Sequence, residues 1–288
     1  FKTCLILLFG VFSNAAMANW NGKIINIKNN QVTSREEFVK DIAISNIIVI
    51  GEKHYTQEVQ NEEGLIISDV VRYSKKENNF ATSWEFLNAS TQNETRDLFN
   101  QVVAHVINSS QFLLKTQGTP KASVYSPLID ITAELGGELF GVNLSREEKA
   151  PVVEKGLGAL DPKLLPPNFQ LGGANYAERF TEVMKDHATA DQIAKYFAAQ
   201  SLVDDVSAYH LLTDSDFDLK FLIIGSFHSM YNDGVVSRIK SRNSNALVAN
   251  VEIVDSSDYD ESEIGEILKD PKYGNRSDYI IFVKEPLK

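Results

Sequence analysis

Six short apolar runs, spread along the chain and separated by helical patterns, constrain the fold of this sequence more than any other feature. Each run has four or five residues, and most are rich in β-branched or aromatic side chains. Runs of this kind are typical of strands buried on both faces of a parallel sheet. They are Ile47–Ile50, Phe80–Trp84, Leu139–Val142, Phe221–Ile224, Leu247–Val251 and Tyr279–Val283.

Helical periodicity occupies much of the chain between these runs. Glu63–Tyr73 and Thr91–Ile107 both place apolar residues at intervals of three and four, as expected of amphipathic helices. Strands that alternate with helices indicate an α/β fold. We therefore predict a mostly parallel sheet with helices on both faces.

One long segment, Pro151–Asp214, contains no candidate strand. Prolines interrupt its first part at Pro162 and at Pro166–Pro167, and its pattern becomes helical from Tyr176 onward. A helical insertion that caps the sheet, at about residues 151–214, is the interpretation we favour. The rest of 19–288 is then a single α/β domain.

The first eighteen residues have the pattern of a secretory signal peptide. Lys2 provides a positive charge, Leu5–Phe12 is apolar, and Ala16–Ala18 ends in a small-x-small cleavage pattern. The apolar run is too short to cross a bilayer, and no later run is a candidate span. We expect an exported protein, periplasmic or secreted, although a short buried N-terminal helix is the alternative.

The chain is acidic, with 28 lysines and arginines against 39 aspartates and glutamates and a formal net charge of −11. Such a surface repels phosphate backbones, so nucleic acid is not expected as a partner. Acidity of the whole chain still permits a local basic pocket for a small anionic ligand.

Polar residues follow four of the predicted strands, at the edge where parallel α/β sheets bind ligands. Glu52 and His54 follow the first run, and Glu85 follows the second. Two Gly-x-x-His turns, ending at His54 and His228, each begin directly after an apolar run. The candidate site residues are Glu52, His54, Glu85, Asn143, Arg146 and His228.

Two chemistries suit this set of side chains. Glu52, His54, Glu85 and His228 could bind a divalent metal such as Zn, Mn, Fe or Co. They also suit metal-free acid–base catalysis, in which a carboxylate orients an imidazole. In a metal-dependent hydrolase, Asn143 and Arg146 would stabilise developing negative charge.

The order of these motifs resembles the Tiki/TraB/ChaN superfamily, and in particular its ChaN-like haem-binding branch. The motifs are GEKH at 51–54, WE at 84–85, NLSR at 143–146 and GSFH at 225–228. Three further stretches are similar to that branch, namely YSPL at 125–128, AQSLVDD at 199–205 and GSFHSMYNDGVVSRI at 225–239. One position departs from the pattern, because Gln60 stands where the branch often has a second histidine.

The resemblance implies an α/β fold with a helical subdomain and a haem pocket shared by two protomers, with a tyrosine on the iron. Tyr125, in the matching segment, is the first candidate ligand. Lys53 and Arg146 are candidates to pair with the haem propionates. The weaker candidates for the iron ligand are Tyr55, Tyr209 and Tyr231.

Other members of the superfamily suggest a different activity. Relatives of the Tiki type are metal-dependent proteases, and relatives of the erythromycin esterase type are hydrolases with similar His and Glu positions. The alternative to haem binding is therefore a metal-dependent hydrolase acting on a peptide or an ester through the same cluster. Whether the protein is an enzyme stays open at this stage.

Overall fold

The computed structural model describes residues 19–214 and 216–286, and the predicted signal peptide lies outside them. All six predicted strands are present, together with two short N-terminal strands. The strands are β1 (Ile24–Asn26), β2 (Gln31–Thr33), β3 (Ile47–Glu52), β4 (Phe80–Asn88), β5 (Glu138–Asn143), β6 (Leu219–Gly225), β7 (Val248–Asp255) and β8 (Tyr279–Val283).

Helices connect these strands and cover the sheet. They are α1 (Arg35–Ile42), α2 (Gln57–Ser74), α3 (Gln92–Val103), α4 (Ser109–Gln117), α5 (Ser126–Glu134), α6 (Arg146–Lys155), α7 (Ala174–Met184), α8 (Ala190–Thr213), α9 (Ser226–Ser229), α10 (Gly234–Arg242) and α11 (Glu261–Leu268). None of the helices among the described residues is long and apolar enough to cross a membrane.

The eight strands form one sheet in the order β2-β1-β8-β7-β3-β6-β4-β5. The six strands from β8 to β5 run parallel, whereas β1 is antiparallel to both β8 and β2. The prediction of a mostly parallel α/β sheet is confirmed. Parallel strands need crossover connections, and the helices supply them on both faces.

Side chains of β3 alternate between the two faces of the sheet and so contribute to two separate hydrophobic cores. Ile48 and Ile50 belong to the core formed with α1 to α5. Ile47 and Val49 point to the opposite face and pack against α8 and α10. Successive side chains of a strand leave on opposite faces, so a run that is apolar at every position must be covered on both sides.

The helical segment 151–214 has no strand and contributes to the sheet's covering layer. The last turns of α8 place Ala208 and Leu211 against the sheet beside Leu222. Earlier in α8, Leu202 packs with Val152 of α6 in a separate small core. One end of α8 thus rests on the sheet, while its other end and α7 extend over the carboxyl edge of the strands.

Candidate functional site

Two neighbouring central strands deliver the two histidine turns to one place. β3 and β6 pair in parallel, with Glu52 opposite Gly225. β4 pairs with the other side of β6, so Glu85 leaves the sheet next to the same turn. The structure therefore brings together the four side chains predicted to converge, namely Glu52, His54, Glu85 and His228.

The first histidine is held by a buried carboxylate. The Nδ1 atom of His54 lies 2.8 Å from Oε1 of Glu52. Glu52 is almost completely buried and also accepts hydrogen bonds from the hydroxyl of Tyr125 and the amide of Gln60. Burial alone would lower the pKa of His54, but the hydrogen bond to Glu52 and the charge of Glu85 outweigh it and leave that pKa raised.

The second histidine has a matching partner from the helical layer. The Nδ1 atom of His228 lies 2.7 Å from Oδ1 of Asp204, a buried residue of α8. Burial lowers the pKa of His228, and the charges of Asp204 and Glu85 more than compensate, so the net shift is upward. Gln200, one turn before Asp204, also contacts the His228 ring.

Glu85 lies between the two histidines. Its Oε1 atom is 3.4 Å from Nε2 of His54, and its Oε2 atom is 3.9 Å from Nε2 of His228. The backbone N–H of Gly225 donates to Oε1 at 2.7 Å. Burial raises the pKa of the Glu85 carboxyl. We call Glu52, His54, Glu85, Asp204 and His228 the histidine–carboxylate cluster.

The donor set of this cluster fits a divalent metal. Glu52, His54 and Glu85 each offer an atom within 4.8 Å of the others. Each histidine hydrogen-bonds an outer carboxylate through Nδ1 and turns Nε2 toward Glu85, which is the arrangement that fixes metal-binding imidazoles. Glu52 thus fits the role of orienting His54 better than that of a direct ligand.

Glycine is required at one position beside the cluster. A Cβ atom at Gly225 would lie 2.9 Å from Cε1 and 3.0 Å from Nε2 of His54. Gly225 has an ordinary negative φ. Glycine is needed at this position because the His54 ring lies against the backbone. The conformation of the turn does not by itself require glycine.

Tyr125 does not fit the role of iron ligand that the sequence suggested. Its side chain is completely buried, and its hydroxyl donates to Glu52 at 2.9 Å. Burial and the charge of Glu52 raise the pKa of Tyr125 far above its ordinary value, which disfavours the phenolate. Tyr125 instead supports Glu52, which in turn hydrogen-bonds the Nδ1 atom of His54.

Three other candidates for haem contacts have different surroundings from those expected. Lys53 forms ion pairs with Asp258 and with Asp255 at the end of β7, so a propionate would have to compete with these two carboxylates. Tyr231 donates to Asp270 at 2.6 Å, and Tyr209 stacks with Arg242. Neither tyrosine lines a cavity at the cluster.

Asn143 and Arg146 both line the cavity beside the cluster but differ in what they offer. Asn143 donates to the backbone oxygen of Glu85 at 3.0 Å and accepts from the N–H of Leu144 at 2.8 Å. Its side chain therefore maintains the strand ends. Arg146 is exposed and begins α6, and its guanidinium makes no hydrogen bond or ion pair within residues 19–214 and 216–286.

Two clefts meet at the cluster. The first cleft has a volume of about 520 Å³, and its charged or titratable lining consists of His54, Glu85, Arg146, Lys149 and His228. Aromatic and aliphatic side chains form much of the rest, namely Tyr55, Phe86, Leu144, Val153, Phe180, Tyr196 and Val203. The second, of about 490 Å³, lies on the other side and is lined by Met184, Phe227 and Tyr259. His54, Phe180, Gln200 and His228 line both clefts and so form the wall between them.

Several site residues escaped sequence reasoning. Asp204 and Gln200 lie in the family-like stretch 199–205, but that stretch was not connected with His228. Glu63, fully buried in α2, has a pKa raised by its burial and by the charge of Glu52. Lys149 and Tyr196 carry no motif and are recognised only by their position in the first cleft.

A family model described as "Haem-binding uptake, Tiki superfamily, ChaN" matches residues 38–239, which include the whole cluster. The chain belongs to this ChaN family. No curated protein sequence matches it significantly.

Several solved structures are similar to this ChaN-family chain, to different degrees. ChaN of Campylobacter jejuni, solved with cofacial haem binding, is 19% identical, with a TM-score of 0.71 over 91% of this chain and 96% of that one. The type III effector HopBA1 is 11% identical, with a TM-score of 0.49 over 93% and 98% of the two chains. An erythromycin esterase, EreC, is 14% identical, with a TM-score of 0.41 over 82% and 77%. The Campylobacter structure shows the shared fold.

Proposed function

We propose that this chain binds haem in the first cleft and acts in haem or iron uptake. The observation that carries the proposal is the lining of that cleft, where apolar walls, two cations and an unpaired phenol meet beside the histidine–carboxylate cluster. Membership of a haem-binding family supports the same ligand. The volume of about 520 Å³ lies within the usual range for small-molecule sites.

The two cations suit the carboxylates of a haem. Arg146 and Lys149 lie one helical turn apart on α6, and neither forms an ion pair among the described residues. Burial lowers the pKa of Lys149, so a propionate beside it would favour its charged form. Arg146 was a predicted propionate partner, and Lys149 takes the role that was predicted for Lys53.

Tyr196 is our candidate for the iron ligand. It lies on α8 in the wall of the first cleft, it is only partly buried, and its hydroxyl has no hydrogen-bond partner among the described residues. Tyr55 also lines the cleft, but burial and then the charge of Glu52 raise its pKa, and its ring stacks on Phe86. A bound haem would supply a ferric centre that a phenolate can ligate.

Haem titration of the purified protein tests this proposal. The wild type should develop an intense Soret band with a spectrum typical of tyrosinate ligation. Tyr196→Phe should shift or abolish that band, and Arg146→Ala combined with Lys149→Ala should weaken binding. Tyr209→Phe is the matched control, because Tyr209 lies on the same helix outside the cleft. A wild type that never binds haem would refute the function, and an unchanged Tyr196→Phe spectrum would refute the ligand.

Export and dimer formation belong to this proposal as well. We expect the protein to be periplasmic or secreted, as the pattern of residues 1–18 suggests, and to pair in a homodimer when haem is bound. N-terminal sequencing of the exported protein should begin at Asn19. Sedimentation with and without haem should reveal a shift from monomer to dimer; a monomer in both conditions would exclude the shared pocket.

The second candidate is a metal-dependent hydrolase acting on a peptide or an ester. The observation that favours it is the pair of Nε2 atoms facing Glu85, each with a carboxylate behind its Nδ1. His54, Glu85 and His228 would hold the metal, and the metal would supply a water activated near neutral pH. Elemental analysis of wild type and His54→Ala, with hydrolysis assays on peptides and esters, tests it. A metal content that His54→Ala does not change would exclude this site.

A further inference from the structure

A buried arginine from the helical layer reaches toward the second histidine turn. Arg179, on α7, is only 5% exposed. Its guanidinium lies 4.5 Å from the ring centre of Tyr231, 4.9 Å from that of Phe227 and 5.2 Å from that of Tyr176. Three aromatic rings therefore enclose one cation, an arrangement in which the ring faces attract the charge.

The same guanidinium also donates to the backbone of the turn. Its Nη2 atom lies 3.3 Å from the carbonyl oxygen of Met230 and 3.4 Å from Oδ2 of Asp233. Phe227 precedes His228 directly, and Met230 follows it by two residues. Arg179 thus contacts the chain on both sides of His228 without touching the histidine itself.

This turn needs external support because its backbone is strained. Tyr231 and Asn232 both have left-handed conformations, with φ of 61° and 57°. Such an angle is unfavourable for a bulky residue such as Tyr231, whereas asparagine adopts it more readily. From the sheet side, Asn250 donates to the carbonyl oxygen of Ser229 at 2.9 Å. From the helical side, α7 supports the turn through Arg179.

The neighbour of Arg179 connects this contact to the ligand clefts. Phe180 lies in the wall shared by the first and second clefts, together with His228. Phe180 and Arg179 are adjacent on α7, so a ligand that shifts this helical turn would move both residues together. Movement of that turn alters the support of the His228 loop.

We propose that Arg179 is a positioning residue that keeps the His228 ring facing Glu85. Through Arg179, the α7 wall of the clefts is coupled to the histidine–carboxylate cluster. Asp204 fixes the direction of the His228 ring through Nδ1, whereas Arg179 fixes the backbone from which the ring extends. The link to ligand affinity rests on the proposed haem function, but the link to His228 does not.

The test uses protein labelled with ¹⁵N at its five histidines, with His228 and His54 assigned from His228→Gln and His54→Gln. Arg179→Met keeps an unbranched apolar stem and removes the guanidinium with its fork and its charge. We expect the His228 ring nitrogens to shift toward the averaged values of a mobile imidazole, while those of His54 stay unchanged. Unchanged His228 signals in a folded Arg179→Met protein would overturn the proposal, and so would equal shifts at both histidines.

Arg242→Met is the matched control, because Arg242 is also a largely buried arginine stacked on a tyrosine and paired with a carboxylate, here Tyr209 and Asp205. It should leave the signals of His54 and His228 in place. If Arg179→Met does not fold, Arg179→Lys decides the question. Lysine keeps the charge but lacks the planar fork, so the His228 signals should shift, and their failure to do so would refute the proposal.

Haem affinity provides the second readout. Arg179→Met should weaken haem binding about tenfold, the lower end of the effect of outer contacts at ligand sites, while Arg242→Met should not. If the wild type binds no haem, the proposed function fails, and the nitrogen shifts still decide the role of Arg179. If haem binds equally well to both variants while His228 shifts, the coupling to the clefts is refuted.

Discussion

Replacing Gly225 by alanine adds one methyl group where the second histidine turn meets the ring of His54. The new Cβ would lie 2.9 Å from Cε1 of His54, whereas carbon atoms in contact prefer a separation of about 3.5–4.0 Å. The imidazole must therefore move by about 0.6 Å or more to restore normal contact. Functional constellations tolerate displacements of only about 0.5 Å, so the cluster should lose its geometry.

The cost to folding should be smaller than the cost to binding. The His54 side chain is 40% exposed, so its ring can swing toward solvent, and we expect a loss of about 1 kcal/mol, the lower end of the range for overpacking. Ligand affinity, for haem or for a divalent metal, should fall about tenfold or more. Thermal unfolding and ligand titration of the same samples give both quantities.

A second alanine substitution serves as the control. Gly265 lies within α11, and a Cβ atom there would meet nothing within 4 Å. Gly265→Ala should stabilise the protein by about 0.5–1 kcal/mol through helix propensity and leave binding unchanged. Gly225→Ala protein with wild-type affinity and an undisturbed His54 signal would refute the reasoning about this contact.

Two further outcomes follow from the cluster. Tyr125→Phe removes a hydrogen-bond donor to buried Glu52 and should lower the free energy of unfolding by about 1–3 kcal/mol. The Soret band of haem-loaded protein should stay in place, and loss of the band would indicate that Tyr125 ligates the iron. The folded-state pKa of His228 is raised, so its stabilising contribution is complete below about pH 6.5 and is lost as the pH rises through the folded value. The stability advantage of metal-free wild type over His228→Gln should therefore shrink as the pH rises above about 6.5, and an advantage that grows would contradict the shift.

The central strands could be predicted because burial on both faces leaves a strong sequence signal. β3 is apolar at every position from Ile47 to Ile50, and its bounds in the structure extend the predicted run by only two residues. The N-terminal strands β1 and β2 left no such signal, since each has three residues and β2 (Gln31–Thr33) is largely exposed. β2 pairs with β1, and β1 joins the rest of the sheet through β8, which lies more than 240 residues away in sequence.

The site was predictable only where residues follow strands directly. Glu85 and the two Gly-x-x-His turns could be placed because the carboxyl ends of parallel strands share one edge. Asp204 could not be placed in the same way, because it lies in the middle of α8 and reaches His228 only through the packing of that helix over the sheet. The surroundings of Tyr125 could not be predicted for a related reason: sequence cannot tell whether an aromatic side chain faces a cleft or the core behind it.

The first cleft is lined by charges of both signs, which fits one class of ligand. Glu85 and the carboxylates behind the two histidines make the cluster negative, and buried carboxylates of this kind are stable only with protons or a cation nearby. Arg146 and Lys149, on α6, add positive charge to the lining of the same cleft. A ligand with a cationic centre and peripheral carboxylates matches both kinds of charge, as haem does. A bare divalent metal would use only the negative charges and would leave the two cations, which form no ion pair among the described residues, without a role, which is why we rank haem first.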